Sequence, residues 1–187
     1  MIILASASPR RRELLRLITS DFRVIASDAD EVVSASQPPQ KVVEELAMRK
    51  ARAVAALHPG DIVIGADTVV WAEGRLLGKP GTPAEATGML KMLSGRQHFV
   101  YTGVAIFSPG GSVVFSEETG VAFTTLTDAQ IARYVAGGEP FDKAGGYAIQ
   151  GKGALFVTAI TGDYYNVVGL PVCRLAQMLD KIENLNG

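Results

Sequence analysis

Apolar positions follow two rhythms along this chain. Short runs rich in β-branched residues and bordered by turn formers, IILA at 2–5, FRVIA at 22–26 and DIVIGADTVVW at 61–71, predict strands. Elsewhere the apolar repeat lengthens to three and four. Over 40–57, Val43, Leu46, Ala47, Val54 and Leu57 share one helical face, and from Pro171 onward Val172, Leu175, Leu179 and Ile182 do the same. Ser8-Pro9 supplies an N-cap and a proline at the first helical position, which predicts a helix over 9–17. Thr82-Pro83-Ala84-Glu85 and Thr127-Asp128-Ala129-Gln130 have the form of capping boxes, opening helices that Gly95 and Gly137-Gly138 stop.

The remaining apolar runs predict paired strands. LLGKP at 76–80 returns from the turn at Glu73-Gly74, residues 98–107 and 113–126 flank Pro109-Gly110-Gly111-Ser112, and YAIQ and ALFVTAI flank Gly151-Lys152-Gly153. Close hairpins are antiparallel, whereas the early strand–helix alternation favours parallel neighbours. The expected fold is therefore α/β with α+β character: a single domain over 1–187, built on a mixed, largely antiparallel twisted sheet flanked by helices.

Composition narrows the possibilities. A chain of 187 residues that is 48% hydrophobic and 20% charged folds as a globular protein rather than remaining disordered. Its net charge of −1 gives no bulk positive field for nucleic acid or an anionic membrane, so any anion site must be local. Cys173 is the lone cysteine, which excludes an internal disulfide, and two histidines leave no structural zinc spacing. With no signal-peptide pattern and no membrane-length apolar stretch, the expectation is a soluble, cytoplasmic protein.

Five features stand against this ordinary background. Arg10, Arg11 and Arg12 occupy the opening turn of the first helix, where the dipole disfavours cations; with the hydroxyls of Ser6 and Ser8 they suit a phosphate, the alternative being three solvated charges. Asp67 interrupts an apolar strand and needs a cation. Folding the hairpin at Glu73-Gly74 pairs positions whose numbers sum to about 147, which sets Lys79 opposite Thr68 and beside Asp67. Lys50 falls on the apolar face of its helix and points inward, by snorkelling or toward an anion. Asp28, Asp30 and Glu31 form an acidic cluster, either a solvated loop or oxygen donors for a Mg²⁺ that escorts a polyphosphate. The glycine-rich segment 141–153 suits close backbone approach to a ligand, with the Gln150 carboxamide able to read a base edge, or is equally two turns around a short strand.

LASASPRR at 4–11, DADE at 28–31, a helix carrying Lys50, GADTVV at 65–70, GKP at 78–80, FDKAGGYAIQGKGA at 141–154 and YNVVGLPV at 165–172 together resemble the Maf family of nucleoside triphosphate pyrophosphatases, also known as septum formation inhibitors. The resemblance runs nearly end to end. It implies a metal-dependent hydrolase, using Mg²⁺ or Mn²⁺, that converts a nucleoside triphosphate to the monophosphate and pyrophosphate, usually as a cytoplasmic homodimer. By the same resemblance Ser6, Arg10 and Arg11 hold phosphates, Lys50 and Lys79 neutralise their charge, Asp67 accepts the proton, and Glu31 is the metal-side carboxylate. A glycine precedes Lys79 where some members carry an acidic residue. Arg10, Ala66-Asp67-Thr68 and Gln150 resemble the dTTP/UTP branch rather than the one acting on 7-methyl-GTP. A nucleotide-binding regulator of cell division, with the triphosphate as signal, is the alternative from another class; a phosphotransferase is a third.

Overall fold

The computed structural model describes residues 1–30, 32 and 37–186, with side chains described as far as 182; Glu31 of the acidic cluster lies outside the described residues. The strands are β1 (Ile2–Leu4), β2 (Phe22–Val24), β3 (Ile62–Ala72), β4 (Arg75–Leu77), β5 (Gln97–Ser108), β6 (Gly111–Phe123) and β7 (Val157–Thr161). The α-helices are α1 (Pro9–Leu15), α2 (Pro39–Ala55), α3 (Pro83–Leu93), α4 (Asp128–Ala136), α5 (Tyr164–Val168) and α6 (Val172–Asn186). Among the described residues the strands form one sheet in the order β2-β1-β3-β5-β6-β7, with β4 paired to β3. The sheet is mixed, as expected. β1 runs parallel to both β2 and β3, while β3–β4 and β6–β7 are antiparallel. No helix among the described residues is long and apolar enough to cross a membrane.

The chain divides into two compact units, Met1–Asp67 with Thr102–Glu117 and Gly169–Gly187, and Thr68–Tyr101 with Glu118–Val168. In the first, α2 lies against the sheet through a core of Ile3, Ala47, Ala51, Val54, Val63 and Ala105. Two glycines allow this approach. A Cβ at Gly65 would stand 2.4 Å from the Ala47 carbonyl oxygen and 2.7 Å from the Ala51 nitrogen, and one at Gly103 would stand 2.2 Å from the Val43 carbonyl oxygen. Helix backbone thus rests almost directly on strand backbone. Leu175, Leu179 and Ile182 of α6 are buried as the spacing predicts, whereas Leu57 lies past the end of α2 and is exposed.

In the second unit, Leu90 and Leu93 of α3, Ile131 of α4, and Val100, Phe123 and Phe156 share one core. Thr127 and Gln130 form the expected reciprocal capping box. The other box is only half formed. Thr82 accepts from the Glu85 N–H, but the Glu85 carboxylate reaches past the cap to the Gly81 N–H at 2.7 Å.

The expected strand YAIQ is absent, and ALFVTAI becomes a strand only from Val157. Short 3-10 turns occupy Ala144–Gly146 and Lys152–Phe156 instead, with Gly145 and Gly146 at φ of 70° and 72°. Residues 147–150 take their polar contacts from side chains and local turns rather than from a ladder. The returning strand β4 is also shorter than LLGKP, stopping at Leu77.

Candidate functional site

Parallel pairing of β1 with β3, in the register Leu4↔Ile64, sets the carboxyl end of β1 beside the middle of β3. The Ala5 N–H still bonds the Ile64 carbonyl at 2.8 Å, so Ser6 follows at the point where β3 passes through Gly65-Ala66-Asp67. In sheets with parallel strands, carboxyl ends of this kind are where ligands collect.

Ser6 is buried, and its hydroxyl accepts from the Ser8 N–H and from Arg11 Nη1, each at 3.3 Å. Arg11 is also held from behind, its Nε donating to the Gly169 carbonyl at 2.9 Å. Gly169 adopts φ of 126°, a conformation that favours glycine. The guanidinium is therefore fixed in place before any anion arrives. Ser8 caps α1 by accepting from the Arg11 N–H. Because α1 has only seven residues, its dipole is a small term and the placed cations are the larger one. Arg10 is half-buried on the same turn, and Arg12 is exposed.

Lys50 points inward as its helical position predicts, and its ammonium meets Asp67: Nζ lies 2.5 Å from Oδ1, with the two side chains only 11% and 15% exposed. Gly65 makes this pair possible, since it shares a strand face with Asp67 and lets α2 sit close enough for Lys50 to reach. Asp67 therefore takes its ion pair from α2 rather than from the hairpin. The hairpin register itself is as expected. Val70↔Leu77, Trp71↔Leu76 and Ala72↔Arg75 each sum to 147, but the ladder ends before Lys79, which is exposed.

Thr68, Lys79 and Gln150 belong to the second unit. The strand pleat turns Thr68 to the face of Val70 and Ala72, away from the face of Asp67. The segment around Lys79 is tied to the glycine-rich loop, because the Gly145 N–H donates to the Gly78 carbonyl at 2.9 Å. Gln150 is exposed on that loop. Beneath it, Tyr147 Oη and His98 Nε2 share a 2.8 Å hydrogen bond, and the His98 ring packs edge-on against Phe123 and Tyr147. Burial pushes the His98 imidazole down to about 4. The two features least visible in the sequence are Gly65, whose role needs the helix packed against it, and Glu139, whose carboxylate binds the loop from outside the motifs.

Asp28 and Asp30 are exposed, Asp30 accepting from the Val32 N–H. Among the described residues no cluster of three or more His, Cys, Asp or Glu side chains could hold a metal ion by itself. One carboxylate at Asp67 is still a sufficient protein share for a Mg²⁺ that brings waters and phosphate oxygens as its remaining donors.

The family model for Maf-like protein matches residues 1–182. A dTTP/UTP pyrophosphatase of Bacillus mycoides (strain KBAB4) is 51% identical over 183 residues, covering 98% of this chain and 96% of its own. One of Geobacillus sp. (strain WCH70) is 52% identical over 181 residues, covering 97% of each. Among solved structures, the Staphylococcus aureus Ham1 protein aligns with a TM-score of 0.47 at 19% identity, over 65% of this chain and 71% of its own.

Proposed function

The chain belongs to the Maf family, and from that premise we propose that it hydrolyses dTTP and UTP to the nucleoside monophosphate and pyrophosphate. The observation that carries the reading is the Lys50–Asp67 pair beside the strand end that presents Ser6 and Arg11. Cation, carboxylate and anion-binding hydroxyl are what phosphoryl displacement by water needs from a protein.

In this mechanism Ser6, Arg10 and Arg11 bind phosphate oxygens. The Arg11 fork loses little freedom on doing so, because Ser6 and the Gly169 carbonyl already restrain it. Lys50 has three donors. One bonds Asp67, and in this mechanism the ammonium bridges that carboxylate and the substrate's phosphate. Asp67 orients a water and accepts its proton as the water oxygen bonds to phosphorus. The phosphoanhydride bond breaks with its electron pair leaving on the departing group, and attack at the α or the β phosphorus gives the same two products. Lys79 neutralises further charge on the polyphosphate.

Asp67 and Glu31 would hold a divalent cation together with the substrate's own oxygens. When bound, that ion supplies further neutralisation of the phosphates. Gln150 selects the base by donating to one pyrimidine carbonyl and accepting from the ring N–H, with Thr68 and Arg10 completing the recognition.

The test is product identity. Purified protein incubated with dTTP should release one pyrophosphate per dTMP; orthophosphate with dTDP, or no turnover with dTTP bound, would contradict the reading.

A further inference from the structure

Glu139 and Tyr134 hold the loop around Gln150 from both sides. Glu139 Oε1 accepts from Tyr134 Oη at 2.7 Å and from the Gly153 N–H at 3.2 Å, and Oε2 accepts from the Lys152 N–H at 3.1 Å. The Tyr134 hydroxyl in turn accepts from the Ala148 N–H at 3.1 Å. Backbone amides two residues before and two residues after Gln150 are thus fastened to one buried phenol and one carboxylate. Hydrogen bonds to a charged acceptor are stronger than neutral ones, and three converge here.

The glycines beside Gln150 are fitted to the same clamp. A Cβ at Gly151 would stand 2.4 Å from Glu139 Oε1, and one at Gly153 would stand 3.0 Å from Tyr134 Oη and 2.6 Å from the Ala148 carbonyl oxygen. The loop therefore lies directly on these side chains. Lys143 Nζ donates to the Glu139 carbonyl at 3.4 Å, which ties the start of the glycine-rich segment to the same residue. Burial works to raise the Glu139 carboxyl, but hydrogen bonds from Tyr134, Lys152 and Gly153 and the charge of Lys143 outweigh it, so the group is held below the ordinary carboxylate range and is ionised at neutral pH.

We infer that Glu139, with Tyr134, is a positioning residue for base selection: it fixes the backbone on either side of Gln150 so that the carboxamide meets a pyrimidine edge in one orientation. The inference rests on the proposed role of Gln150. A loop stabilised only for its own sake would lose rate on every nucleotide alike when loosened. A loop that orients a reading group loses the preferred nucleotide most, because only that nucleotide draws on the orientation.

The experiment compares kcat/KM for dTTP, UTP and CTP in the wild type and in Glu139→Ala, Glu139→Gln, Tyr134→Phe and Gln150→Ala, with hydrogen exchange read at the Lys152 and Gly153 amides. Glu139→Ala should lower the dTTP-over-CTP ratio roughly tenfold and expose both amides to exchange, while CTP turnover stays within about twofold. Glu139→Gln, which keeps an acceptor, should recover part of the ratio. Tyr134→Phe removes one hydroxyl and carries the same test should Glu139→Ala fail to fold, with a loss of about threefold in the ratio. Equal losses on all three nucleotides, or an unchanged ratio in the Glu139 and Tyr134 variants while Gln150→Ala loses it, overturn the positioning role alone. An unchanged ratio in Gln150→Ala overturns the reading of Gln150, and this inference falls with it.

Discussion

Lys50 Nζ and Asp67 Oδ1 are 2.5 Å apart across 17 residues of sequence, helix to strand, with both side chains largely shielded from water. In the proposed mechanism this contact serves two roles in one place: a carboxylate to take a proton and an ammonium to meet phosphate. Asp67→Asn keeps the shape and an oxygen for Lys50 but removes the base. Turnover should fall by roughly 10²-fold or more while triphosphate still binds. Single-turnover kinetics beside equilibrium binding measures this, and a variant with wild-type turnover would refute the role.

Replacing Lys50 with methionine has a different signature. The lysine stem would be preserved, but Asp67 would be left without its ion-pair partner in a shielded setting, which should cost about 2 kcal/mol of stability as well as activity. Adding Asp67→Asn should return most of that stability and none of the activity. Urea unfolding of the two single variants and the double variant reads the coupling, and additive losses would show that the pair contributes nothing.

Gly65 positions that pair without touching substrate. Gly65→Ala places a methyl carbon 2.4 Å from the Ala47 carbonyl oxygen, so α2 must move away from β3, at a cost of about 1–3 kcal/mol. Activity should fall further than the lost stability explains, because Lys50 moves with the helix. Gly88→Ala is the contrast. Gly88 lies exposed within α3 with nothing within 4 Å of its Cβ position, and the change should add about 0.5–1 kcal/mol with activity intact. Melting curves and specific activity of both variants test the difference.

How far the sequence carried depends on whether the determining interactions are local. The inward turn of Lys50 follows from its place on the apolar face of α2, and the β3–β4 register follows from the Glu73-Gly74 turn. The partner of Lys50 does not follow, because it depends on two glycines in different strands admitting one helix. The hairpin ends at Leu77, and so does the argument that paired Asp67 with Lys79. YAIQ has the composition of a strand, yet the positive φ of Gly145 and Gly146 and the hold of Glu139, Tyr134 and His98 give residues 144–153 their turns instead.

His98 provides a pH-dependent measure of the second unit's core. Burial lowers its folded value to about 4 from an ordinary 6.5, so the unfolded chain binds one proton more than the native state between those limits. The native protein gains nothing from this group by acidification: the contribution is intact above pH 6.5 and is lost as pH falls toward 4, amounting to about 3 kcal/mol. In an NMR titration the His98 ring should remain neutral through about pH 5.5. A midpoint near 6.5 would contradict the burial argument.

The most direct measurement is kcat/KM of the purified protein, with Mg²⁺ or Mn²⁺, for dTTP, UTP, CTP, GTP and 7-methyl-GTP. A Gln150 carboxamide held to donate to one carbonyl and accept from the ring N–H is left unpaired by cytosine, and guanine, which shows a similar edge, is larger than a pyrimidine, so dTTP and UTP should exceed the rest by roughly 10²-fold or more. A preference for either guanine nucleotide, or no discrimination among the five, would contradict the assignment.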